Sequence, residues 1–330
     1  MKAKLLFAIL SLLILVALLV YPQQHSQAQQ DPRFSQYMFN GLVMNPAYAG
    51  TGEVAFVSAF YRKQWVSLDW APQSATVSAQ NVLGGRCQYG IGGYMGFDQI
   101  GIHKTFNVSG AYAYRLPLGS LSRRLSIGVS ANLMYMLHNW DEIQTVTPDD
   151  PIFAQAGNSS FMPNFGLGLF LDLGNFYFGA SVPNVLELKY GPSGIANTDL
   201  AGKIYRHYIL STGGVIRLTD GLKLSPSALV KIVSEGVPNS LNAPMQVDAN
   251  VSFIINEALW LGSSFRFQET FRPESVDFIA NFRFKNGMRV GYAYDLTLSE
   301  LSSFTSGSHE IGLQMQLGER KGRYKTPRYF

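Results

Sequence analysis

Ser308, His309 and Glu310 are consecutive residues whose types match those of a hydrolase active site. A serine that is activated by a histidine, with a carboxylate nearby, is a common nucleophilic arrangement. The three residues lie in a stretch with strand periodicity, in which neighbouring side chains face opposite sides. Ser308 and Glu310 should therefore share one face, and His309 should lie on the other. Because catalysis needs the serine and the histidine together, we predict no catalytic site here and expect a protein that is not an enzyme.

Other patterns that could support chemistry are also weak. The five histidines have no metal-ligand spacing, and the sequence contains no H-E-x-x-H, C-x-x-C, Walker or G-x-S-x-G motif. Cys87 is the single cysteine, so no intramolecular disulfide can form. The glycine repeats at 90–93 and 166–168 lie within predicted strands, where they favour close backbone approach or barrel curvature over phosphate binding. We predict no metal site, no cofactor-binding site and no cofactor.

The strands that would position these residues follow the pattern of residues 275–295. Apolar residues alternate with mostly polar ones on both sides of the loop Lys285-Asn286-Gly287. The two apolar sets share a face only if Phe284 lies opposite Met288. That register leaves a three-residue loop, closed by a glycine that accepts positive φ.

The same alternation recurs along the chain and predicts about fourteen strands. They lie near 54–62, 73–82, 87–98, 104–116, 124–138, 162–173, 175–182, 205–218, 222–233, 246–255, 259–267, 275–284, 288–295 and 308–317. Most have the length that a tilted strand needs to cross a membrane. Short turns alternate with longer connections through the second half of the chain, as they do in outer-membrane barrels. The sequence predicts an all-β, transmembrane, antiparallel up-and-down β-barrel with both termini in the periplasm.

The polar residues that alternate with the apolar set predict a water-filled interior. The alternative fold is a large soluble β-sandwich. In a barrel, the charged and amide side chains that alternate with the apolar set would point into the lumen. They are Asn107, Arg115, Asn132, Arg217, Lys223, Lys231, Asp248, Asn250, Arg266, Asp277, Arg283, Arg289, Asp295 and Glu310. Strand length and loop alternation favour the barrel over the sandwich.

The start of the chain predicts export. Lys2 and Lys4 precede an apolar run, and Ser26-Gln27-Ala28 offers a cleavage site. The alternative, an uncleaved anchor helix, is short for a bilayer. We therefore divide the chain into a signal peptide (1–28), an N-terminal periplasmic or plug segment (29–52), the barrel (53–317) and a basic periplasmic tail (318–330). The expected location is the outer membrane, and the net charge of +4 does not indicate a nucleic-acid partner.

The N-terminal segment and the tail are candidates for partner binding. The segment from 30 to 50 is rich in aromatic residues without sustained alternation, so it should pack inside the barrel mouth or against another protein. The tail carries several positive charges and one Glu, which suits acidic partners. The two could form one periplasmic docking surface. The residues predicted to bind partners are Phe34, Tyr37, Phe39, Asn45, Pro46, Tyr48, Arg62, Trp65, Arg320, Lys321 and Arg323.

Several of these motifs closely resemble the PorP/SprF family of the type IX secretion and gliding machinery. The N-terminal run from Gln30 to Asn40 with Asn45-Pro46-Ala47-Tyr48-Ala49-Gly50 resembles the family's opening signature. Three internal motifs and the closing residues are similar to it as well. They are Arg62-x-Gln64-Trp65, Gly291-Tyr292-x-Tyr294-Asp295, Ser308-His309-Glu310 and Pro327-Arg328-Tyr329-Phe330.

The resemblance implies a fourteen-stranded barrel that exports or retains large surface proteins. It also implies three kinds of partner: outer-membrane lipid, a periplasmic ring that contains a lipoprotein, and secreted cargo with a type B C-terminal sorting domain. The barrel architecture by itself favours a porin or a transporter of hydrophobic substrates as much as it favours a secretion component. The sequence leaves both functions open, with an outer-membrane hydrolase as a third.

Overall fold

A computed structural model of the protein shows a closed barrel with a segment of chain inside it. The structure describes residues 32–52, 54–84, 87–139, 159–190, 202–233, 245–268 and 272–318. The predicted signal peptide and all but the first residue of the predicted basic tail lie outside these ranges. No helix in the described ranges is long and apolar enough to span a membrane.

Fourteen strands of the described chain make the barrel wall. They are β1 (Ala55–Lys63), β2 (Gln73–Leu83), β3 (Tyr89–Ile100), β4 (His103–Leu118), β5 (Ser120–His138), β6 (Ser159–Asp172), β7 (Phe176–Val182), β8 (His207–Gly214), β9 (Leu222–Val233), β10 (Gln246–Ile255), β11 (Leu259–Gln268), β12 (Arg272–Arg283), β13 (Met288–Thr297) and β14 (Ser308–Leu317). A two-residue piece, Ile216–Arg217, continues β8 past Val215 and pairs with the same neighbour. Lys189–Tyr190 and Gly202–Lys203 pair with each other in a separate two-stranded sheet.

Each strand pairs antiparallel with the strands before and after it in the sequence, and β1 pairs with β14. The seam is in register over the whole of β1, from Ala55 opposite Leu317 to Lys63 opposite His309. One sheet that closes on itself excludes the β-sandwich. The predicted up-and-down barrel and its strand number are confirmed.

The tight turns have the predicted registers. Phe284 lies opposite Met288, and the amide of Phe284 donates to the carbonyl of Met288 at 2.8 Å. Gly287 closes that loop at φ 85°, a conformation that glycine adopts without strain. Ile255 likewise lies opposite Leu259. These turns share one end of the barrel, which we call the turn end, and the longer connections leave from the other, the loop end. The connection after β11 is shorter than predicted, because β11 and β12 reach Gln268 and Arg272.

Side chains alternate between the two faces of the wall. Apolar residues such as Val129, Leu169 and Phe278 are about half exposed on the outside, where lipid would cover them. Most of the polar residues predicted to face inward are buried. Arg217 differs, because its side chain is exposed at the turn end and pairs with Asp220.

Candidate functional site

The barrel lumen holds residues 32–52, which we call the plug. The plug contains three short helical turns, Tyr37–Phe39, Gly41–Met44 and Pro46–Tyr48. The Asn45 side chain caps the last turn by accepting a hydrogen bond from the amide of Ala47 at 2.9 Å, and Pro46 suits the first position of a helix. The sequence allowed this segment to lie in the barrel mouth or on another protein, and the structure has it in the lumen.

The plug runs the full height of the barrel. Arg33 lies at the loop end, where it binds Glu274 near the start of β12. Ala49 and Gly50 lie at the turn end, against Gly90 near the start of β3. The chain then leaves the lumen at the turn end and enters β1 at Ala55. The first described residues of the chain are therefore at the opposite end of the barrel from Ala55 and Leu317.

Aromatic side chains attach the plug to the wall. Phe34 packs edge-on against Phe60, with 6.3 Å between ring centroids, and Tyr48 packs the same way on Phe170 at 5.4 Å. The guanidinium of Arg289 lies 4.6 Å from the Phe39 ring, a cation–π contact. These rings are buried or half-buried, so they supply much of the apolar burial that holds the plug.

Glycines on the wall make room for the plug main chain. A β-carbon on Gly90 would collide with the carbonyl of Ala49, and one on Gly128 would collide with the backbone of Ala47. At Gly168, a β-carbon would collide with the Asn45 side chain. The predicted close approach at 90–93 and 166–168 is confirmed, and the plug is the approaching segment at Gly90 and Gly168, whereas Pro183 is the backbone neighbour of Gly166.

Wall side chains also bind the plug's backbone polar groups. Gln314 donates to the carbonyl of Phe39 at 2.6 Å, and Ser181 donates to the carbonyl of Met44 at 2.6 Å. Arg115 donates to the carbonyl of Gly50 at 2.5 Å. A chain without regular strand pairing needs such partners, because unpaired buried backbone groups are costly.

Glu310 and Arg62 form the central contact with the plug near the loop end. The Glu310 carboxylate accepts hydrogen bonds from the consecutive amides of Ser35 and Gln36, at 2.7 and 2.9 Å. Arg62 is the direct cross-strand neighbour of Glu310 across the seam. It donates to the Ser35 hydroxyl, pairs with Glu310 at 3.5 Å, and pairs with Asp295 at 2.6 Å.

Arg266 extends this contact into a network of buried charges. Its guanidinium lies 2.7 Å from Asp248, 3.2 Å from Asp295 and 3.6 Å from Asp277. Asp295 therefore joins Arg62 to Arg266. Together with the Arg33–Glu274 pair, these groups form what we call the latch, which consists of Arg33, Arg62, Asp248, Arg266, Glu274, Asp277, Asp295 and Glu310.

Burial makes the latch depend on its own pairing. Arg62, Arg266, Asp277 and Glu310 are each at most 2% exposed. Charges removed from water are tolerated only when opposite charges and hydrogen bonds compensate them. Loss of one member would leave its partners buried and uncompensated. The latch can therefore hold the plug firmly.

The residues predicted to bind partners lie mostly inside the barrel. Phe34, Tyr37, Phe39, Asn45 and Pro46 are buried in the plug, and Tyr48 is half-buried. In this arrangement their side chains contact the wall, so partner binding by them would require the plug to move. Their role as partner anchors stays a prediction.

The remaining predicted residues have different surroundings. Arg62 belongs to the latch. Trp65 is half-buried at the loop end, where its amide donates to the Ser308 hydroxyl at 3.2 Å. Arg320, Lys321 and Arg323 lie outside the described residues, and so does the docking surface predicted for the tail.

The facing predicted for Ser308, His309 and Glu310 is confirmed. Ser308 and Glu310 are buried on the inner face. The His309 ring lies on the outer face, where its Nδ1 is 2.7 Å from the Tyr292 hydroxyl. The wall therefore separates the histidine from the serine.

The latch could not be recognised as a unit from the sequence. The inward facing of Asp248, Arg266, Asp277 and Asp295 followed from strand periodicity, but their convergence with Arg62 and Glu310 depends on the closed register of six strands and on the position of the plug. The sequence did contain one indication of the latch, because the motifs at 62–65, 291–295 and 308–310 each contribute a residue to it. Gly291 belongs to it too, since a β-carbon there would collide with the Gln36 side chain.

Comparison with known proteins places the chain in a family. The family model described as type IX secretion system membrane protein PorP/SprF matches residues 26–315. No curated protein sequence matches the chain.

The chain is also similar to solved barrel structures. The Pseudomonas putida toluene transporter TodX is 10% identical with a TM-score of 0.49, over 83% of this chain and 91% of that one. The Acinetobacter baumannii outer membrane protein Omp33 is 11% identical with a TM-score of 0.43, over 80% of this chain and 98% of that one. The KdgM porin is 6% identical with a TM-score of 0.37, over 80% and 99%. The chain is an outer-membrane β-barrel that belongs to the PorP/SprF family of type IX secretion system membrane proteins.

Proposed function

We propose that the protein is a plugged, non-enzymatic component of the type IX secretion and gliding machinery. It acts in the export or surface attachment of large cargo proteins by binding cargo and periplasmic machinery. Family membership supports the assignment to this machinery. The latched plug is the single observation that carries the proposed mode of action, because it favours binding over diffusion through an open pore.

The alternative is a porin or a transporter of hydrophobic substrates, and the lumen weighs against it. One cavity between the plug and the wall, lined by Met38, Tyr48, Phe170 and Ile209 among others, has a volume of about 30 Å³. That volume has room for only a few water molecules. A solute could pass this part of the lumen only after the plug had moved.

Two features support a role without catalysis. Ser308 accepts a hydrogen bond from the backbone of Trp65, and Glu310 binds the plug. The groups that resemble a hydrolase triad thus hold structure together.

The proposed partners are cargo with a type B C-terminal sorting domain and a periplasmic ring that contains a lipoprotein. The strand ends at Ala55 and Leu317 share the turn end, so the basic tail with Arg320, Lys321 and Arg323 would leave from there. With the turn end in the periplasm, the tail would meet acidic surfaces of that machinery.

Affinity purification from detergent-solubilised envelopes tests the proposal. A tag inserted near Ser303 in the connection between β13 and β14 should recover the barrel together with secretion components. Recovery of the barrel alone, together with a large and stable conductance of the intact protein in planar bilayers, would favour the porin.

A further inference from the structure

The plug occupies a surface that recognises polypeptide main chain. Glu310 binds two consecutive amides, and Gln314, Ser181 and Arg115 each bind a carbonyl. Gln80 completes the set by accepting from the amide of Gly50 at 3.0 Å. Contacts to backbone groups do not depend on side-chain identity, so the same wall groups can bind another chain that follows this path.

The wall restricts side-chain size in the turn half of the lumen. Ala47 and Ala49 are fully buried, and their backbones fill the space beside Gly128 and Gly90. Between them, the Tyr48 ring packs on Phe170. This half of the lumen therefore fits a segment with small residues on both sides of an aromatic one.

Some buried polar groups of the plug have no hydrogen-bond partner in the described structure. The side-chain amide of Gln36 is buried, and neither its nitrogen nor its oxygen has a hydrogen-bond partner within the described structure. The Asn40 side-chain oxygen is also buried without a partner. Buried polar groups without partners weaken binding. A chain with apolar residues at these positions would avoid that cost.

From these observations we infer that the lumen is a binding channel for a polypeptide segment, and that the plug is an internal competitor for it. The ligand class is a segment with a small-aromatic-small core, entering from the turn end. The identity of the natural ligand rests on the proposed function: it is a segment of the cargo. The competitor has an advantage, because attachment to β1 gives the plug a high effective concentration.

A purified-protein binding experiment tests the inference. The probe is a fluorescein-labelled synthetic peptide with the sequence of residues 32–52. In the full-length chain, Phe34→Ala with Tyr37→Ala weakens the plug and leaves the wall intact. Truncation of buried aromatic residues should weaken plug docking enough to tighten apparent peptide binding about 100-fold or more. A control peptide with leucine in place of both Ala47 and Ala49 should not bind.

A reversible lock provides the second arm, in which one preparation is compared with itself before and after oxidation. In a Cys87→Ser background, Asn45→Cys and Gly168→Cys place two thiols where the Asn45 side chain meets Gly168. The reduced protein should bind the peptide, and the oxidised form of the same preparation should not. Each single-cysteine variant should be indifferent to oxidant.

The inference is overturned if the weakened variant shows no saturable binding, or if the oxidised lock binds the peptide as well as the reduced one. Because the assay contains only barrel and peptide, it can fail while secretion components still co-purify. Conversely, peptide binding without any machinery partner would retain the channel and refute the proposed function.

Discussion

The backbone of Ala47 occupies the space in which a β-carbon on Gly128 would lie. Ala47 sits in the middle of the plug's last helical turn, and Gly128 is near the centre of β5. At this point the main chain of the plug therefore packs directly against the main chain of the wall. A single methyl group on the wall should disturb the match.

Gly128→Ala should displace the turn half of the plug, because neither backbone can yield at low cost. Overpacking of this kind costs about 1–3 kcal/mol. We expect conductance in planar bilayers to rise above that of the wild type. Gly110→Ala is the matched control, because nothing lies within 4 Å of a β-carbon there. Equal conductance of the two variants would contradict plugging by this segment.

Arg62→Met should destabilise the barrel strongly. The change leaves Glu310 buried without its cation and leaves Asp295 with Arg266 alone, and loss of one member of a buried pair typically costs about 3–5 kcal/mol. Thermal unfolding in detergent would measure the effect. Arg217→Met is the control, since its pair with Asp220 is exposed and should contribute little. An Arg62→Met barrel as stable as the control would show that the latch is dispensable.

Phe278→Arg should reduce the amount of folded barrel in the outer membrane. Phe278 is 54% exposed on the outer face near the middle of β12, and arginine at the bilayer midplane of a barrel costs about 2–4 kcal/mol. Heat-modifiable mobility on gels would report folding. Phe304→Arg, in a loop-end connection, should be tolerated. Normal assembly of Phe278→Arg would argue against lipid contact at this face.

Cysteine labelling should establish the orientation of the barrel. In a Cys87→Ser background, Ser303→Cys at the loop end should react with an impermeant thiol reagent on intact cells. Asp220→Cys and Asn286→Cys at the turn end should react only after the outer membrane is opened. The reverse pattern would place the turn end, with Ala55 and Leu317, at the cell surface.

Truncation after Gly318 should leave the barrel intact and weaken partner recovery, because it removes Arg320, Lys321 and Arg323 but keeps all of β14. Co-purification with periplasmic components is the measurement, and binding that remains in wild type should weaken with salt. A parallel Tyr37→Ala and Tyr48→Ala variant separates the tail from the plug. Unchanged recovery with both would remove the predicted docking surface.

The strands could be predicted from sequence because alternation and turn chemistry act locally. The facing of Phe284 and Met288 alone determined their hairpin register, and the same logic placed Ile255 opposite Leu259. The plug's path could not be predicted, since its residues have no period and its contacts join distant parts of the chain. Arg33 with Glu274 and Arg62 with Asp295 are such contacts, and Arg62 meets Asp295 only when the barrel closes.

The seam between β1 and β14 has a consequence for biogenesis. The plug precedes β1 in the sequence and lies inside the finished barrel. If the barrel closed first, the plug would have to thread into the lumen through one end. Assembly is simpler if the plug settles against the open sheet before the first and last strands meet. Arg62 and Glu310, one on each margin, then come together around Ser35. The plug, which is synthesised before every strand of the wall, would thus serve as the template around which β14 closes the barrel.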